Sequence, residues 1–185
     1  MRDHIDLILG QWRQALPELD TSPVEIIGRV SRLAQLLHEQ IEPVFSEYGL
    51  SGGEYDVLAA LRRAGPPFRL TPSILSQSLI VTSGGMTKRL KALEEAGLVR
   101  RVPSPTDRRS NRVQLTSRGR KLVESVVSAH VANEERLLMG LDERQRHNLA
   151  ALLRRYLIAL GDVTRQPRER ATSTTSSHPR GDRPS

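Results

Sequence analysis

The sequence predicts a mostly α-helical chain with one small antiparallel β-ribbon set among helices. Three observations predict it. Apolar residues recur at three- and four-residue spacing over most of residues 3–160, the period of one helix face. Alternating or β-branched runs occur only in LVRRV (98–102) and NRVQLT (111–116), either side of a tip rich in Pro, Ser, Asp and Arg. Glycine and proline punctuate the pattern at Pro17, at Gly65-Pro66-Pro67, and at Gly97, Gly140 and Gly161.

Taken in order, Ile5, Ile8, Leu9, Trp12 and Leu16 form an amphipathic stripe that Pro17 ends, a helix over 3–16. The next helix runs from about Ser22, expected to cap it with Pro23 at the first helical position and Glu25 at the third, to about Phe45, with Pro43 marking a late kink or local irregularity. Ser51 and Glu54 are spaced as a capping box and open a helix through Val57, Leu58 and Leu61 to about Ala64. Thr71-Pro72 starts a short helix with Ile74, Leu75 and Leu79 inward. SGGMTKRLKALEEAG then forms a helix with Met86, Leu90, Leu93 and Leu98 inward, ended by Gly97 in a left-handed turn. Two helices joined by so short a turn make a helix-turn-helix, and the ribbon behind them a two-stranded wing. Thr116 or Ser117 caps a long helix to about Met139, and Asp142 with Gln145 restarts the chain as a helix to Leu160.

Charge follows this order. The chain carries 28 Lys and Arg against 21 Asp and Glu, a formal +7. Residues 69–120 hold 11 basic and 3 acidic side chains, whereas residues 1–68 hold 6 and 10. A surplus confined to the helix-turn-helix and ribbon suits a module that faces phosphates. Six aromatic residues are too few for a base-stacking platform, so a duplex is the better partner than a single strand. In the second helix of the pair the packed side leaves Ser83, Gly84, Thr87, Lys88 and Lys91 free to meet a major groove. Gly84 and Gly85 allow close approach, and Ser83 can also act as an N-cap. In the ribbon tip Asp107 is placed to orient Arg109, and Arg108 beside it suits a minor groove read by width; a local turn residue is the lesser alternative for Asp107.

From LTPSILSQSLIVTSGGMTKRLKALEEAGLVRR to DRRSNRVQLTSRG the chain resembles MarR-family winged-helix transcription regulators, and the resemblance extends over about residues 22–160. It implies a homodimer joined by its first and last helices, a palindromic double-stranded DNA site, and repression relieved by a small ligand. The organisation expected is an accessory helix (1–17), a dimerisation helix (18–50), a winged helix-turn-helix (51–120), C-terminal dimerisation helices (121–162) and a disordered basic tail (163–185). Trp12 in an additional first helix, Asp56 in EYDVLAALRR, Arg89 in GGMTKRL and Arg101 in LVRRV together resemble the urate-responsive subfamily, which implies that these four bind the effector. A ring and guanidinium donors suit a flat anion such as urate, and an acidic neighbour can hold the cations when the ligand is absent. Other phenolic or aromatic acids remain open as effectors. Trp12 as a packing residue and Asp56 in a structural ion pair are the plain alternatives.

Other functions fit less well. The five histidines lack metal-ligand spacing, no phosphate-cradling glycine motif is present, and cysteine is absent, so no enzyme, metal or cofactor is expected. His38 and His130 sit in helical stripes as surface or interface residues. No apolar run reaches the length of a membrane span, and a cytoplasmic location is expected. A non-specific architectural nucleic-acid binder is the remaining alternative; it would show little sequence preference and no effector response.

Overall fold

A computed structural model describes residues 1–103 and 111–163. The expectations for Asp107, Arg108 and Arg109, and for the tail past Val163, lie outside the described residues. The chain divides into two units, Met1–Met139 and a second that begins at Gly140.

In the first unit α1 (His4–Ala15) is opened by a reciprocal Asp3–Asp6 capping box. It buries Ile5 and Leu9 and packs on α2 (Ser22–Ser46), where Gly28 lies so close that a Cβ there would stand 3.2 Å from Ile5. Arg29 on α2 binds both Asp3 and Asp6 at 2.7 Å, tying the helix start down. Ser22 is not the cap of α2. Thr21 holds that position without a side-chain bond, because Ser22 already donates its N–H and hydroxyl to Asp20 and is itself the first helical residue. Pro43 does not end the helix, which continues unbroken to Ser46.

The predicted Ser51–Glu54 capping box opens α3 (Gly52–Arg63), the central helix, in which Val57, Leu58 and Leu61 have no exposed surface. α4 (Pro72–Ser78) is capped by Thr71 and turns into α5 (Ser83–Glu95), which presents Met86, Leu90 and Leu93 to the core. Two expectations here are corrected. Thr82, not Ser83, caps α5, its hydroxyl accepting from the Gly85 N–H at 3.2 Å. Ile74 is 47% exposed, since a seven-residue helix has one narrow inner edge and Leu75 fills it.

Strands β2 (Val99–Pro103) and β3 (Asn111–Leu115) form the ribbon, and Gly97 at φ +67 makes the left-handed turn before it. The sheet has three strands, however, because β1 (Arg69–Leu70) pairs antiparallel with β3 in the order β1-β3-β2. Two residues are too few to show an alternating pattern, so only their placement beside Gln114 and Val113 reveals them as a strand. Thr116 caps α6 (Ser117–Leu137), which lays Val123 and Val126 against α3. Leu58→Ala should cost about 2–5 kcal/mol, measured by denaturant unfolding, because the surrounding residues can close only part of the void.

The second unit contains α7 (Glu143–Ala159), where Asp142 and Gln145, expected to restart the helix, form a reciprocal capping box. None of its residues is buried, and Leu152, Tyr156, Leu157 and Ile158 lie exposed. Among the described residues no helix is long and apolar enough to cross a membrane.

Candidate nucleic-acid interface and ligand cleft

The exposed side of α5 carries Ser83, Gly84, Thr87, Lys88 and Lys91, all solvent-facing as the stripe of Met86, Leu90 and Leu93 requires. Thr87 donates its hydroxyl to the Ser83 carbonyl at 2.9 Å, and Lys91 stands 3.8 Å from Glu95. The two glycines differ. A Cβ at Gly84 would meet no atom within 4 Å, whereas one at Gly85 would stand 2.9 Å from Val81 in the turn before the helix. Gly85 therefore serves the close packing of the turn, and Gly84 is the one that leaves surface open.

On the inner side α5 borders a cleft of about 370 Å³ between α2, α3 and α6. His38, Ile41, Glu42 and Phe45 enter it from one face of α2, Gly52, Gly53, Tyr55 and Asp56 from α3, Arg89 from α5, and His130 and Glu134 from α6. The floor is aromatic: Phe45 stacks on Tyr55 with centroids 4.4 Å apart, and the His130 ring stands 5.0 Å from Phe45. Arg89 lies directly over Gly53, where a Cβ would come within 2.6 Å of its guanidinium carbon. Its Nη1 is buried with no hydrogen-bond partner among the described residues. Burying a cationic donor unpaired is costly, so this atom lacks an acceptor that its burial calls for.

Asp56 shares the cleft. Desolvation pushes its carboxyl above the usual value despite the opposing pull of Arg89, Arg63 and His130, and Glu42 reinforces the rise. Among the described residues no ion pair within 4 Å joins Asp56 to Arg89 or Arg101. Arg101 instead binds Glu94 of α5 at 2.8 Å. Trp12 is 42% exposed on α1 and does not line the cleft. Of the four residues singled out for an effector, the fold thus brings together Asp56 and Arg89 within one chain.

Reading the sequence alone took His38 and His130 for surface or interface residues and passed over Glu42, Tyr55 and Glu134, all of which line the cleft. A signal for part of this was present: positions 38, 41, 42 and 45 share one helix face, and polar residues occupy two of the four places.

Comparison with known proteins agrees with this architecture. Residues 48–110 match the profile of the MarR family. The chain is 43% identical to the HTH-type transcriptional regulator PecS of Dickeya dadantii (strain 3937) over 148 residues, covering 80% of this chain and 89% of that protein. Among solved structures, a single-site mutant of Escherichia coli MarR complexed with operator DNA superposes with TM-score 0.63 at 24% identity, over 79% of this chain and 97% of that one. Bordetella bronchiseptica BpsR, whose DNA binding is regulated by 6-hydroxynicotinic acid, superposes with TM-score 0.63 at 24% identity over 76% and 96%. These relatives are regulators rather than enzymes. The chain belongs to the MarR family of helix-turn-helix, DNA-binding transcriptional regulators.

Proposed function

We propose that this regulator is a homodimeric repressor that grips a palindromic operator and releases it when a flat anion, urate first among candidates, enters the cleft beside α5. Arg89 is the observation that carries the reading. It belongs to the helix that faces DNA, yet its guanidinium lies in a cleft within the ~300–1,000 Å³ range of small-molecule sites, with one donor unpaired. A ligand that draws in Arg89 pulls on α5, and its preference for the displaced helix becomes a loss of DNA affinity.

On the DNA side, Ser83, Gly84, Thr87, Lys88 and Lys91 meet the major groove. At the ribbon tip the sequence reading gives Arg108 the adjacent minor groove and Asp107 the role of orienting Arg109. Two such helices in a dimer would read half-sites about 34 Å apart. The apolar residues exposed on α2 and α7, Ile26, Val30 and Leu33 on one and Leu152 and Leu157 on the other, support pairing with a second copy. Gly84→Ala offers a clean separation. It should leave the fold intact or add up to ~1 kcal/mol of helix stability, yet weaken operator affinity at least severalfold by fluorescence anisotropy, since the added methyl meets only DNA.

Trp12 and Arg101 complete the effector site by resemblance. Arg101 reaches a ligand only by leaving Glu94, and Trp12, which does not line the cleft, only by being brought to it. A second reading, release by another aromatic acid, is favoured by BpsR, whose regulating ligand is a hydroxylated pyridine acid. A gel shift on the chain's own promoter region, with and without urate and 6-hydroxynicotinic acid, tests both. A specific shift relieved by urate supports the first reading, and one relieved only by the pyridine acid supports the second. A shift that neither compound relieves counts against the cleft as the effector site.

A further inference from the structure

The sheet has a second polar face that neither the DNA-facing side of α5 nor the Arg89 cleft uses. Arg69, Gln114 and Arg100 lie side by side across β1, β3 and β2, on the face opposite buried Val113 and Leu115. Behind them is an open cavity of about 490 Å³ bounded by Phe68, Arg100, Gln114, Ser117 and Arg120. Gln114 is fixed at both ends, accepting from Arg100 at 3.1 Å and donating to the Pro67 carbonyl at 2.9 Å. Phe68 supports two guanidinium groups, with Arg62 5.2 Å and Arg120 5.8 Å from its ring centre. Among the described residues, Arg62 is the one of these cations that is paired, with Glu124 at 2.9 Å. Among the described residues, no carboxylate stands within 4 Å of Arg69, Arg100 or Arg120.

Holding like charges at one cavity opposes folding unless an anion compensates them. The side chains chosen are arginines, whose planar forks match the paired oxygens of a phosphate, and the ring and the amide limit where two of those forks can point. The Ser117 hydroxyl adds a neutral donor at the rim. We infer that this cavity is an anion site that takes a phosphate group through Arg100 and Arg120, separate from the ligand cleft beside α5. Its position at the root of the ribbon, behind the face that packs on α5, makes a free phosphorylated small molecule one source of that group and the backbone of flanking DNA the other.

Isothermal titration calorimetry of the full chain with pyrophosphate, in a buffer free of other multivalent anions, tests the site. The wild type should bind one pyrophosphate per chain. Arg100→Gln, on the solvent face of the sheet, and Arg120→Lys, which keeps the charge and removes the fork, should each weaken binding at least tenfold. Lys88→Gln on α5 should leave it unchanged. The salt dependence of operator binding separates the two sources. A slope that falls by about one per lost contact in Arg100→Gln, the variant that removes a charge, assigns the phosphate to DNA, and an unchanged slope in that variant beside lost pyrophosphate binding assigns it to a free ligand. Pyrophosphate binding and salt slope both unaltered in Arg100→Gln and Arg120→Lys would overturn the inference.

Discussion

Gly119→Ala is expected to lower the melting temperature of the winged unit by about 10 °C or more, a loss of about 3 kcal/mol or greater. A Cβ at Gly119 would overlap the Leu98 carbonyl oxygen, and the obstacle is backbone rather than the yielding end of a side chain. Neither backbone segment can move aside. The Thr116 N–H donates to that same carbonyl at 3.0 Å, its hydroxyl lies 2.9 Å from the Gly97 carbonyl, and the hydroxyl in turn accepts from the Gly119 N–H at 3.0 Å. The first turn of α6 is therefore sewn onto the turn that begins the ribbon, and an added methyl pulls out the whole seam. Gly10→Ala, where no atom lies within 4 Å, is the matched control and should be neutral or mildly stabilising. Differential scanning calorimetry of the two variants decides the point.

The second large effect belongs to the ligand. Arg89→Ala should cost urate about 1.5–3 kcal/mol, a roughly ten- to hundredfold loss of affinity, because a charge-assisted bond from a buried donor disappears. Operator affinity without ligand should change little, as Arg89 lies on the inner side of α5. Asp56→Asn should behave oppositely. Removing a like charge beside an incoming anion should raise urate affinity by roughly fivefold, about 1 kcal/mol at solvent-screened strength. It should also make release of the operator less complete, since repulsion from Asp56 helps to drive the displaced state. The raised carboxyl of Asp56 sets a pH trend with a definite sign. Its folded-state value lies above the unfolded one, so the penalty of holding it charged is present at neutral pH and falls away as pH drops through the raised value. Asp56→Asn should abolish that trend in thermal stability.

How far the sequence carries depends on how local the cause is. Capping boxes at Ser51 and Asp142, the stripe of Met86, Leu90 and Leu93, and the Gly97 turn are set by neighbours within one or two helical turns, and each was legible beforehand. The third strand was not, because Arg69 and Leu70 become a strand only when β3 arrives from beyond two helices and another strand, as Leu70 meets Val113 with Arg69 beside Gln114. The cap of α2 failed for a nearer reason: Asp20 competes for Ser22, and a one-residue shift in a cap is invisible to spacing alone. In the cleft, Asp56 and Arg89 were marked out beforehand only by the resemblance. That Gly53 makes room for Arg89, and that His130 completes an aromatic floor with Phe45 and Tyr55, depends on four helices meeting.

The central claim is that the cleft and the DNA-facing side of α5 are coupled through Arg89, and coupling between binding sites is reciprocal. The most direct measurement is the urate affinity of the full chain by calorimetry, alone and saturated with operator duplex. The account predicts weaker urate binding on DNA, by the same factor that urate weakens DNA binding, and a factor near one in Arg89→Ala. Equal urate affinity with and without the operator in the wild type would contradict it.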